Sequence, residues 1–150
     1  MSASVLVHAT AVAIDGGAIL LRGPPGAGKS DLALRLLDSG ARLVADDQVL
    51  LRRVGMAVMA QAPASIAGLI EARGIGILRV AALDEVRLAL IADLVPSGEI
   101  ERLPEPRAET VLGLDFPLIA VAPFEASAPA KLRFARRLFA APPAPAIIGR

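Results

Sequence analysis

Apolar and polar positions alternate along this chain in short blocks, which predicts mostly strands with two helices. Val5 to Ile14 is a β-branched apolar run and reads as a first strand, with His8 inside it. Asp15-Gly16-Gly17 is a turn signal, and Ala18 to Arg22 reads as a second strand, so the two form a hairpin. From Asp31 to Ser39 the apolar positions Leu32, Ala33, Leu34, Leu36 and Leu37 fit a mostly buried helix, with Gly40 as its stop. Arg42 to Ala45 is a short strand. Val49 to Arg53 and Met56 to Gln61 suggest a hairpin turning at Gly55, and Ala64 to Gly68 a loop. The segment Leu69 to Leu78 is apolar but interrupted by Gly74 and Gly76, which favours a tight loop or close backbone approach over a helix. Val86 to Val95 reads as a strand ended by Pro96-Ser97-Gly98, Ile100 to Glu109 as an exposed loop and Leu118 to Val121 as the last strand. Ser127 to Ala140 alternates Lys131, Arg133, Arg136 and Arg137 with Leu132, Phe134, Leu138 and Phe139, an amphipathic basic helix. Residues 1–141 are expected to form one domain and 142–150 a flexible tail.

Composition narrows the class of protein. The chain is 55% apolar and 21% charged, with a net charge of +1, so it has enough apolar surface for a core and no basic tract that demands nucleic acid. It has no cysteine and one histidine, which excludes a disulfide framework and a zinc site of the usual ligands. The longest uncharged run, Val54 to Ile70, is broken by Pro63 and two glycines and is too short to span a membrane. No basic residue precedes the first apolar stretch, which argues against a secretory signal. The expectation is a cytoplasmic protein with no membrane or nucleic-acid partner.

The chemistry concentrates between the second strand and the first helix. Gly23-Pro24-Pro25-Gly26-Ala27-Gly28-Lys29-Ser30 is the Gly-x-x-x-x-Gly-Lys-Ser pattern, and strand, glycine loop and helix is the context that this pattern requires. Glycines let the backbone curl so that successive N–H groups face an anion, and the helix adds its N-terminal positive end. Lys29 can reach β- and γ-phosphates, and the Ser30 hydroxyl can ligate Mg²⁺. A nucleoside triphosphate with Mg²⁺ is therefore the expected ligand. Asp46 and Asp47 end the strand Arg42 to Ala45, where a metal-supporting acid and a proton acceptor are needed. Successive side chains of an extended chain point to opposite sides, so one carboxylate can face the metal and the other an incoming hydroxyl. A solvent-exposed Asp-Asp turn fits the same pattern. Glu71 and Arg73 read either as a metal ligand beside a phosphate-binding cation or as a surface ion pair.

These pieces together resemble the catalytic domain of HPr kinase/phosphorylase, the bacterial enzyme that phosphorylates a serine of the phosphocarrier protein HPr. The matching stretches are His8, Gly23 to Ser30, Arg42 to Asp47, and Glu71-Ala72-Arg73-Gly74-Ile75-Gly76-Ile77, which is similar to the family's Glu-x-Arg-Gly-x-Gly signature. The resemblance implies an α/β fold of the phosphate-loop NTPase type, related to phosphoenolpyruvate carboxykinase, with a mixed sheet and flanking helices. It implies that Lys29 holds the β/γ-phosphates, that Ser30 and Glu71 bind Mg²⁺ with Asp46 supporting the metal or nucleophile, and that Asp47 takes the proton of the target serine. His8 would sit in the active site, and Arg102 would match a downstream active-site arginine. The partner implied is an HPr-type carrier, contacted partly through the helix Ser127 to Ala140, and the assembly a homo-hexamer.

Two departures change what is expected. The family carries an N-terminal domain before the histidine, which is residue 8 here, so that domain is expected to be absent. Its phosphorolysis loop carries arginines, whereas Val121-Ala122-Pro123-Phe124-Glu125-Ala126 has none. Kinase activity is thus expected to outweigh phosphorolysis. The alternatives are a small-molecule kinase and a non-catalytic ATP-binding regulator. Against the first, such enzymes use an arginine-bearing lid, and Val54 to Ile70 is uncharged. A guanine-reading Asn-Lys-x-Asp motif is impossible in a chain without asparagine.

Overall fold

A computed structural model of the chain describes residues 3–140; the expected tail lies outside the described residues. The fold is a mixed α/β domain built on a curled nine-stranded sheet. Its strands are β1 (Ser4–Val7), β2 (Thr10–Ile14), β3 (Gly17–Arg22), β4 (Arg42–Ala45), β5 (Val49–Val54), β6 (Ala57–Gln61), β9 (Glu85–Leu94), β10 (Arg107–Val111) and β11 (Leu114–Val121). The remaining two, β7 (Leu69–Ala72) and β8 (Gly76–Arg79), form a separate hairpin. The helices α1 (Lys29–Asp38) and α2 (Ala128–Leu138) cover one face. No helix among the described residues is long and apolar enough to cross a membrane.

The hub is β9. Along one edge it pairs in parallel with β3 over Leu88 to Asp93. Along its other edge it pairs first with β6 through Glu85 to Arg87, antiparallel, and then with β11 through Ile91 to Leu94, parallel. The path β1-β5-β6-β9-β3-β2-β4 therefore branches at β9 towards β11 and β10. Strands buried on both faces need apolar residues at every position. In β3, Ile19 and Leu21 face the helices with Leu32, Leu36 and Leu132, while Ala18 and Leu20 face a second core with Leu51, Val58 and Ile91. The β3–β9 register shifts between Ala18 and Ile19, and this irregularity sends Leu88 to one core and Leu90 to the other.

The β2–β3 hairpin turns through Asp15 and Gly16, both at positive φ (52° and 78°), the geometry that a two-residue hairpin turn demands. The helix from Asp31, the strand from Arg42 and the hairpin about Gly55 fall where the pattern placed them. Three readings need correction. Val5 to Ile14 is not one strand: the chain bends at His8, because β1 pairs with β5 whereas β2 pairs with β3 and β4. Leu69 to Leu78 is more than the tight loop expected: the turn is there, with Ile75 N–H donating to the Ala72 carbonyl at 2.9 Å, but it joins β7 and β8 as a β-hairpin. The end of the expected loop, Arg107 to Glu109, belongs to strand β10, and the last strand begins at Leu114 and not Leu118. β10 is a sheet-edge strand with little burial, so its charges hide the strand signal.

Candidate active site

Strand β3 delivers the glycine loop to the edge of the sheet, and α1 begins at its end. Gly26 and Gly28 both take positive φ (84° and 100°), and Gly28 caps α1 with no side-chain hydrogen bond at the cap. The first-turn N–H groups of α1 are thus left without a protein side chain, which makes the helix end an anion cradle. The Lys29 ammonium lies back on the loop and donates to the carbonyls of Gly23 (2.6 Å) and Pro24 (3.1 Å).

The loop rests on a charged clamp. Arg22, the last residue of β3, donates through Nε and Nη2 to Asp93 of β9 (2.7 and 3.1 Å), and through Nη2 to Glu109 of β10 at 2.9 Å. A further bond joins Arg22 Nη1 to the same Glu109 carboxylate. These bonds hold the Glu109 carboxyl below the usual glutamate range and raise the already high pKa of Arg22. The clamp ties the strand that bears the loop to two others.

Asp46 is the second anchor. It is 6% exposed, and Oδ1 accepts from Thr10 Oγ1 (2.9 Å) and Ser30 Oγ (2.6 Å), while Oδ2 accepts from the Glu71 N–H (3.0 Å). One carboxylate thereby joins β2, the glycine loop and the β7–β8 hairpin. Asp47 follows with a left-handed φ of 74° and is exposed, its N–H donating to Thr10 Oγ1 at 3.3 Å. The two aspartates part because the chain turns there, not because an extended strand alternates its side chains.

A cleft of about 400 Å³ opens above these residues, lined among others by Thr10, Gly26, Gly28, Lys29, Ser30, Asp47, Glu71, Arg73 and Phe124. It brings together Lys29, Ser30, Asp47 and Glu71, with Asp46 beneath. His8, exposed at the bend between β1 and β2, and Arg102, exposed between β9 and β10, are not among the lining residues. Glu71 and Arg73 both line the cleft and form no ion pair with each other. Thr10 and Phe124 were not singled out by motif. Thr10 had a signal, as the lone polar residue in Ala9 to Ile14; Phe124 had none. Ser30 and Glu71 carry oxygen donors of the kind that Mg²⁺ takes, a hard cation that needs few protein ligands and leaves the rest to water and phosphate, whereas both oxygens of Asp46 already accept protein donors.

A larger cavity of about 580 Å³ lies at the other end of β3, lined by Gly17, Leu88, Phe116 and Arg136 among others. It is mostly apolar and far from the loop. The Arg136 guanidinium is buried there and donates to the Asp15 carbonyl at 3.2 Å. We place the chemistry at the smaller cleft, because only that one holds the phosphate loop and its carboxylates.

Fold and cleft define a phosphate-loop domain with a mixed sheet. The family model of the HPr Serine kinase C-terminal domain matches residues 1–95, more than half of the chain, and the chain belongs to that family. An HPr kinase/phosphorylase of Burkholderia lata is 37% identical over 126 residues, covering 77% of this chain and 39% of that protein. One of Caldanaerobacter subterraneus subsp. tengcongensis is 39% identical over 119 residues, covering 77% and 38%. The chain thus spans less than two thirds of the length of these curated relatives. The structure of the Hpr(Ser) kinase/phosphatase from Coxiella burnetii superposes with a TM-score of 0.80 at 28% identity, covering 89% of this chain and 95% of that one.

Proposed function

We propose that this chain transfers the γ-phosphoryl group of ATP to a serine of an HPr-type carrier protein. The observation that carries the reading is the placing of Lys29, Ser30, Asp47 and Glu71 on one cleft at the N-terminus of α1, with Ser30 held by Asp46. The names of the relatives support the choice of acceptor.

The geometry supports the following roles. The curled backbone of residues 23–28 and the end of α1 cradle the phosphates. Lys29 exchanges its two carbonyl partners for β- and γ-oxygens. Ser30 and Glu71 would hold Mg²⁺, which neutralises charge on the phosphates. Asp46 enters as the group that fixes the Ser30 hydroxyl, since both of its oxygens already accept protein donors. Asp47, exposed to the cleft, accepts the proton of the serine hydroxyl. As it does so the serine Oγ–phosphorus bond forms, the bond from the γ-phosphorus to the bridging oxygen breaks, and ADP leaves. A homo-hexamer, and contact of the carrier with α2, are further parts of this reading; the exposed Phe134 and Leu138 on α2 suit such a contact.

The test is incubation of the protein with γ-labelled ATP and a panel of HPr-type carriers, with detection of phosphoserine. Transfer to a carrier by the native chain, lost in Lys29→Ala, is the expected result. ATP binding without transfer to any carrier would indicate a regulator, and transfer undiminished in Lys29→Ala would refute the site.

A further inference from the structure

We infer that the exposed ring of Phe124 is the platform on which the base of the bound nucleotide stacks, so that the cleft recognises a nucleoside triphosphate by its base and not only by its phosphates. This rests on the reading of the cleft as a nucleotide site.

Topology supplies the first argument. β3, β9 and β11 run parallel, so their carboxyl ends lie at one edge of the sheet. In open α/β sheets ligands bind beyond that edge. The glycine loop follows β3, and residues 122–125 follow β11 two strands away. A triphosphate held at the first leaves its nucleoside to reach towards the second.

The side chain supplies the second argument. Phe124 is 71% exposed, yet its ring lies against the loop: a Cβ at Gly28 would stand 2.9 Å from Phe124 Cζ. Of the four phenylalanines it alone lines the cleft, and the chain has no Trp or Tyr. A base needs a π-face or an apolar slot, and Phe124 offers the only aromatic face there.

The backbone beneath the ring is fixed. Arg35 of α1 donates to the carbonyl of Pro123 and, at 3.5 Å, to that of Glu125. Glu125 is in turn paired with Lys131 of α2 at 3.0 Å. An apolar ring presented to solvent on a pinned loop loses little freedom on binding, which favours its use as a platform.

Binding of Mg-ATP and of Mg-tripolyphosphate, measured by calorimetry on the native chain, Phe124→Ala and Phe124→Trp, tests this. Tripolyphosphate carries the charge without the base. Phe124→Ala is expected to weaken ATP about tenfold and leave tripolyphosphate unchanged, while Phe124→Trp retains or tightens ATP. The ring is exposed, so Phe124→Ala should fold, which a melting curve checks. Equal weakening of both ligands would make Phe124 a support of the glycine loop and overturn the inference. Unchanged ATP affinity with a raised KM for the carrier would make the ring an acceptor contact and overturn it too. A native chain that binds neither ligand would refute the nucleotide reading itself, an outcome distinct from the other two.

Discussion

Asp46 and Asp47 differ in what surrounds them, and their substitution should separate two effects. Removing the buried carboxylate in Asp46→Ala leaves Thr10 Oγ1, Ser30 Oγ and the Glu71 N–H without their acceptor. Unfolding by denaturant should show a loss of roughly 2–3 kcal/mol. Asp47→Asn should not destabilise, because asparagine tolerates the left-handed φ that Asp47 adopts. It keeps shape but cannot accept the serine proton. Single-turnover transfer should therefore fall by at least about a hundredfold while ATP affinity stays within a few-fold. Normal transfer in Asp47→Asn would move the base elsewhere. Glu71→Gln should raise the Mg²⁺ needed for half-maximal transfer; an unchanged titration would remove Glu71 from the metal site.

Between elements, the Arg22 clamp gives a pH-dependent prediction. Glu109 is held below its ordinary range by Arg22, so it stays ionised in the folded chain where the unfolded chain would protonate it. Its contribution is complete above the unfolded value of about 4.3 and is lost as pH falls through the lower folded value. Glu109→Gln should accordingly melt below the native chain at pH 7, and the gap should close on acidification below pH ~4. A gap that stays constant with pH would mean that the carboxylate charge contributes nothing. On the packed face, Leu36 of α1 is fully buried among residues of β2, β3 and α2. Leu36→Ala should cost about 2–5 kcal/mol in denaturant unfolding, depending on how far the site collapses.

At the scale of the whole molecule, the parallel run of β3, β9 and β11 brings the loops after β3 and β11 to one end of the sheet, and the charges there bear on the direction of the proposed reaction. Phosphorolysis needs inorganic phosphate beside a phosphoserine, and two anions repel unless cations surround them. The cleft is lined by Lys29 and Arg73, and the loop after β11, which lacks the arginines of the family's phosphorolysis loop, brings Phe124 to it. Phosphate-dependent dephosphorylation of a phospho-carrier should be weak beside kinase activity, as measured by pyrophosphate release. Robust release would mean that Arg73 and Lys29 suffice for both anions.

Local chemistry determined much of this in the sequence itself. The glycine loop, the helix that follows it, the Asp15-Gly16 turn and the hairpin about Gly55 depend on residues within a few positions of each other, so period and turn chemistry suffice to place them. The stretch around Ser30 was legible as chemistry from its own motif, whereas those around Asp46 and Glu71 stayed open between a site and a turn or surface ion pair until the resemblance joined them. Pairing between distant segments was not. Nothing near His8 says that β1 and β2 take different partners, and nothing in Arg107 to Glu109 says that this charged stretch meets β11 as an edge strand. Only the tertiary structure brought Thr10 and the Glu71 backbone to Asp46, turned Asp47 into the cleft, and laid Phe124 over Gly28. These contacts join residues far apart in the chain, and they exist because long-range strand pairing and core burial bring the loops to one edge, a consequence of packing that no local pattern encodes.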